Sequence, residues 1–116
     1  MELKQFDAAT LAKAISEKEA TVMVEFYTDS CPFCKSLERV FCAFAAEYPT
    51  GMVFGKVNLG TEPSLTEQYG IRSVPTVILF SDGVPIGRCT GAVNRGRLEE
   101  LARRVESDGA GWQKNE

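Results

Sequence analysis

Two of the four cysteines in this chain stand close enough to work as a pair: Cys31 and Cys34, in Ser30-Cys31-Pro32-Phe33-Cys34-Lys35. The run before them, Thr21-Val22-Met23-Val24-Glu25-Phe26-Tyr27, reads as a strand buried on both faces. The residues after Cys31 take up a helical pattern through Cys34, Leu37, Phe41, Phe44, Ala45 and Tyr48. A cysteine opening a helix faces unsatisfied N–H groups and the positive end of the helix dipole, and both favour thiolate. Pro32 suits the first helical position, where its missing N–H costs nothing. Two residues between the cysteines, on that first turn, bring the sulfurs within bridging reach. The chemistry expected is thiol–disulfide exchange: Cys31, nearer the helix end, attacks, and Cys34, one turn inside, resolves the mixed disulfide.

Glu25 interrupts an otherwise apolar strand. A carboxylate there is costly unless it is paired, reaches solvent or has a chemical task. Burial would raise its proton affinity towards neutrality, where it could take and return a proton. Lys56, among apolar neighbours in the next strand, is the candidate partner. Ser73-Val74-Pro75-Thr76 precedes another apolar run. On its own it reads as a trans proline starting a strand, because only about 5–6% of X–Pro bonds are cis. The chain has one C-x-x-C and no histidine, which falls short of the four ligands zinc wants, so no metal and no cofactor is expected. Cys42 and Cys89 read as small packing or surface residues.

The elements that must position these residues follow from periodicity and turn chemistry. Asp7 caps a first helix, with Leu11, Ala12 and Ile15 at helical spacing, ending near Lys18. The helix after Cys31 stops at Pro49-Thr50-Gly51, and Met52 to Leu59 is a second apolar strand. A short helix, Glu62 to Tyr69, is closed by Gly70. Thr76–Phe80 and Val84–Thr90 flank Ser81-Asp82-Gly83, a hairpin signal. Asn94 caps a last helix with an apolar stripe of Leu98, Leu101, Ala102 and Val105. Alternating strands and helices followed by a hairpin predict an α/β fold, a mixed central sheet of four to five strands with helices on both faces. The domain is expected over residues 1–106, with 107–116, including Trp112, as a flexible tail.

At 116 residues the chain fits one domain, large enough to fold without disulfide staples. The net charge of −3 and the mixed signs of Arg95, Arg97, Glu99, Glu100, Arg103 and Arg104 argue for a solvated helix face and against nucleic-acid binding. No stretch approaches the roughly 18 apolar residues of a membrane span, and Met1-Glu2-Leu3-Lys4-Gln5-Phe6 has no leader pattern. A cytoplasmic monomer is expected, or an exported one if a signal has been removed.

Taken in order, these residues resemble the thioredoxin family over roughly residues 2–106. Val22-Met23-Val24-Glu25-Phe26 is similar to its central strand, Cys31-Pro32-Phe33-Cys34-Lys35 to its active-site turn, and Lys56-Val57-Asn58 to the strand that carries a lysine near the buried acid. Tyr69-Gly70-Ile71-Arg72-Ser73-Val74-Pro75-Thr76 is similar to the segment leading into the family's cis-proline, and Phe80-Ser81-Asp82-Gly83 and Thr90-Gly91-Ala92 to its hairpin and the glycine beside the active-site surface. The resemblance implies that Pro75 is cis and packs beside the cysteines. It also implies that Val74 offers backbone hydrogen bonds to substrate, and that Pro32, Phe33 and Gly91 complete the substrate surface.

Four departures carry consequences. Pro32-Phe33 replaces the family's Gly-Pro and looks more like the Pro-aromatic pair of glutaredoxins. Ser30 and Tyr27 stand where tryptophans are usual. Glu25 replaces an aspartate one methylene shorter. Arg39 replaces the proline that bends the active-site helix, which predicts a straighter helix. Free N–H groups after Pro32 favour the Cys31 thiolate and a more oxidising couple than the roughly −270 mV of ordinary thioredoxin, near about −230 mV. The expected function is reduction of protein disulfides, with a thioredoxin reductase or another dithiol donor as the recycling partner. The alternatives are a disulfide oxidase or isomerase, a glutathione-linked reductase, and a non-catalytic adaptor that binds partners through the Val74–Pro75 groove.

Overall fold

The computed structural model describes the backbone of residues 3–17, 20–48 and 51–115, and their side chains as far as Val105. Four helices and five strands alternate along it: β1 (Lys4–Phe6), α1 (Ala8–Ser16), β2 (Thr21–Tyr27), α2 (Pro32–Glu47), β3 (Val53–Asn58), α3 (Ser64–Gln68), β4 (Thr76–Ser81), β5 (Val84–Thr90) and α4 (Arg95–Asn115). The expected α/β class and mixed sheet are what the structure has. The strands lie in the order β1-β3-β2-β4-β5. β1 and β2 flank β3 in parallel, and β4 runs antiparallel to both β2 and β5.

Local chemistry explains the boundaries. Asp7 accepts from the Thr10 amide at 2.8 Å while Thr10 Oγ1 accepts from the Asp7 amide at 2.8 Å, a reciprocal cap on α1. Gly70 follows α3 with φ of +62°, the left-handed turn that a C-terminal glycine allows. Asp82 and Gly83 both have positive φ, as a two-residue turn joining β4 to β5 requires. Asn94 Oδ1 accepts from the Arg97 amide at 2.9 Å and starts α4. The expected stops at Lys18 and at Pro49-Thr50 lie outside the described residues.

One reading differs from the structure. β1 is an element that periodicity missed, because three residues are too few to show alternation; it adds an edge strand beside β3. α4 runs as helix from Arg95 to Asn115. Trp112 falls outside the described side chains.

Side-chain alternation along the central strand divides the core in two. Val22, Val24 and Phe26 join Leu11, Ile15, Leu65, Ile78 and Phe80 on the side covered by α1 and α3. Met23 joins Leu37, Phe41, Phe54, Leu79 and Leu98 on the side covered by α2 and α4. Glu25 alternates with the first set, so its side chain belongs to the α2 side. Cys89 lies in that α2-side core, Cys42 is half-buried against the same core, and burial pushes the Cys89 thiol up. The arginines of α4 do sit on a mixed-charge face: Arg95 pairs with Glu99 at 3.1 Å and with Glu47 at 2.6 Å.

Candidate active site

β2 is the central strand, and the chain leaves its carboxyl end to enter α2 within four residues. This puts the cysteine pair at the carboxyl edge of the sheet, where open α/β sheets bind ligands. Cys31 is the N-cap of α2 and Pro32 its first residue. Cys31 and Cys34 are joined as a disulfide, with Cα atoms 5.3 Å apart. The Cys34 amide donates to Cys31 Sγ at 3.1 Å, the contact through which a helix start holds negative charge on sulfur. Cys34 is 2% exposed and Cys31 7%. α2 runs without interruption from Pro32 to Glu47, through Arg39.

The Val74–Pro75 bond is cis, as the resemblance implied. Pro75 is buried, and Thr76 just beyond it pairs with Phe26, which sets the proline at the same edge of the sheet as the end of β2. The Pro75 carbonyl accepts from the Gly91 amide at 3.0 Å. Gly91 has φ of +84°, a conformation side chains disfavour. Gly91, Ala92 and Val93 then form one wall of a groove of about 260 Å³, and Phe33, Leu37 and Val40 of α2 form the other. Phe33 is 69% exposed. The structure thus brings Phe33 and Gly91, 58 positions apart in sequence, to one surface beside the disulfide.

Glu25 is 1% exposed, and its Oε1 has no hydrogen-bond partner. Burial pushes its carboxyl up to about 8; the negative charge of Glu38 adds to the rise and Lys56 opposes it. Lys56 is its register neighbour on β3, but the expected Glu25–Lys56 ion pair is not formed. Lys56 Nζ donates instead to Glu38 Oε2 at 2.8 Å and sits 5.6 Å from the centre of the Tyr27 ring. The physical reason is hydration: Glu38 is half-exposed, so pairing there costs less desolvation than carrying the ammonium to the fully buried Glu25. Burial pulls Lys56 down, but its hydrogen bond and charge pairing with Glu38 outweigh this and its net shift is upward. Glu38 is a site residue that sequence reasoning missed. Its spacing of four from Cys34 was the available signal, since i and i+4 share a helix face. Cys34, Lys35, Glu38, Lys56, Tyr27 and Asp29 line a cleft of about 180 Å³.

A redox cysteine pair at a helix start, a cis-proline at the same sheet edge and a buried acid behind them define a thiol–disulfide oxidoreductase. The thioredoxin family model matches residues 2–104, and the chain belongs to that family. It is 30% identical over 107 residues to the thioredoxin of Porphyra purpurea, a match covering 92% of this chain and all of that protein. It is 38% identical over 80 residues to the thioredoxin of Chlamydia caviae, covering 69% of this chain and 78% of the relative. The solved structure of a single-site mutant of thioredoxin from Halobacterium salinarum superposes with a TM-score of 0.78 at 29% identity, covering 88% of each chain. The family assigns protein-disulfide reductase activity.

Proposed function

We propose that the protein reduces protein disulfides by dithiol exchange, with Cys31 as nucleophile and Cys34 as resolving thiol. The observation that carries this reading is the Cys31–Cys34 disulfide at the start of α2, with the inner cysteine's amide on the outer sulfur. In the first step the reduced Cys31 thiolate attacks a substrate disulfide, and the first substrate sulfur leaves and takes up a proton. In the second, Cys34 gives up its proton and attacks Cys31 Sγ, and the second substrate sulfur leaves as a thiol. The substrate gains two electrons and two protons, and the Cys31–Cys34 disulfide is formed.

Glu25 is the group that handles the Cys34 proton. A carboxyl held near neutrality exists in both forms at working pH, so it can accept that proton and later return it. Lys56 assists from the cleft mouth through its charge. The substrate chain lies over Val74 and Pro75, pairing with the Val74 backbone as an added strand. Pro32, Phe33 and Gly91 offer it an apolar flank, supported by the exposure of Phe33 over the groove. Recycling falls to a thioredoxin reductase or another dithiol donor, and the working form is a monomer. Two free cysteines, Cys42 and Cys89, suit a reducing compartment such as the cytoplasm. No helix among the described residues is long and apolar enough to cross a membrane.

The test is trapping. With Cys34→Ser, a disulfide substrate should accumulate as a mixed disulfide on Cys31, and Cys31→Ser should yield no adduct. An adduct formed through Cys34 instead would reverse the roles. The equilibrium potential of the couple should fall near about −230 mV, and a value above about −200 mV would favour oxidase or isomerase work.

A further inference from the structure

We propose that Glu38 is a positioning residue of the exchange site, which holds the Lys56 ammonium at the cleft mouth beside Cys34 and so leaves the buried Glu25 carboxyl without a cationic partner. The catalytic consequence rests on the reading of Glu25 as the proton carrier; the positioning itself does not.

Three charged groups share the α2 side of the sheet. Glu25 and Lys56 are register neighbours on parallel strands, and both alternate with residues that face away from α2. Neighbours of opposite charge on one sheet face ordinarily pair with each other. Here the ammonium turns to the helix above, where Glu38 takes it at 2.8 Å. Two carboxyls compete for one cation. The half-exposed one wins because pairing there costs less desolvation than pairing with Glu25, which would carry the ammonium further into the core. The consequence is the orphaned Oε1 of Glu25.

Such an arrangement controls the protonation of Glu25 from outside the core. The ionisable groups around the cleft are Tyr27 from β2, Asp29 from the loop after it, Cys34, Lys35 and Glu38 from α2, and Lys56 from β3. On the β4 side the register neighbour of Glu25 is Val77, which carries no charge. Lys56 is therefore the cation that lies against Glu25 in register, and Glu38 decides where its charge sits. With Glu38 present, Glu25 is mostly protonated at neutral pH and keeps an ionised fraction that can take up a proton. Without that charge, Lys56 is released towards Glu25 and draws it into the ionised form.

The experiment follows the Glu25 carboxyl by carbon-13 NMR across a pH titration of the full-length oxidised protein, as wild type, Glu38→Gln, Lys56→Met and the double variant. Disulfide-exchange rate is measured against pH on the same proteins. Glu38→Gln should move the Glu25 midpoint down by about one pH unit, a tenfold change in proton affinity. In the Lys56→Met background the same substitution should move it by less than half as much, because the cation it releases is gone. An unmoved midpoint in Glu38→Gln overturns the proposal. So does an equal shift in both backgrounds, which would mean that Glu38 acts only through its own charge. A midpoint that shifts while the pH–rate profile stays fixed supports the positioning role and removes Glu25 from proton transfer. A merely structural role for Glu38 would lower the melting temperature and leave the midpoint in place.

Discussion

The two faces of β2 are built from one seven-residue strand and have opposite characters. Towards α1 and α3 it presents Val22, Val24 and Phe26, all with no exposed surface, against a wholly apolar layer. Towards α2 and α4 it presents Met23 and then Glu25, in a layer that opens into the Cys34–Lys56 cleft at the strand's carboxyl end. The first face has nothing to do but exclude water, and tight packing maximises that. The second holds a buried carboxyl whose Oε1 has no partner, and burial pushes that carboxyl up to about 8. Stability and chemistry are thus separated across the thickness of one sheet.

Three substitutions should sharpen or break that separation. The largest effect is expected from Phe26→Ala on the α1/α3 face. Removing a fully buried ring should cost about 3–5 kcal/mol in urea unfolding, with the potential of the Cys31–Cys34 couple unchanged in the folded fraction. A shifted potential would show that the two faces are coupled.

Next comes Glu25→Gln, which should change how stability depends on pH. The folded carboxyl titrates near 8 against 4.5 for the free side chain, so between those values the folded state holds a proton the unfolded state has released. Stability from this group is complete below the lower value and is lost as pH rises through the upper one. The wild type should lose roughly 4 kcal/mol between about pH 5 and about pH 9 that the glutamine variant keeps. Parallel pH profiles for the two proteins would mean that Glu25 is hydrated or paired in solution.

The smallest effect is expected from Asp7→Ala. Losing the α1 cap should lower stability slightly, seen as a small drop in melting temperature, with exchange kinetics unaltered. Slower exchange would tie α1 to the site.

Much of the site was legible in order along the chain. A C-x-x-C at a strand-to-helix junction carries its own chemistry, because the helix start stabilises thiolate wherever the rest of the fold lies. Glu25 stood out as an acid in an apolar run, and Asp7, Gly70, Asp82-Gly83 and Asn94 marked element ends through local backbone preferences. β1 was not legible, because a three-residue strand is defined by its pairing with β3 and has no period of its own. The ion pair was not legible either. Glu25 and Lys56 were both picked out, but Glu38 looked like one more polar residue on a helix.

By itself the sequence determined the redox pair, the element types and the α/β class, since these depend on side-chain periodicity, turn residues and interactions within a helical turn. The tertiary structure alone decided that Phe33 and Gly91 share a groove, that Pro75 stands at the edge where β2 gives way to Cys31, and that Lys56 belongs to Glu38. Each of these joins residues far apart in the chain, and burial decides which partner a charge keeps. Burial is a property of the packed layers and of no single segment.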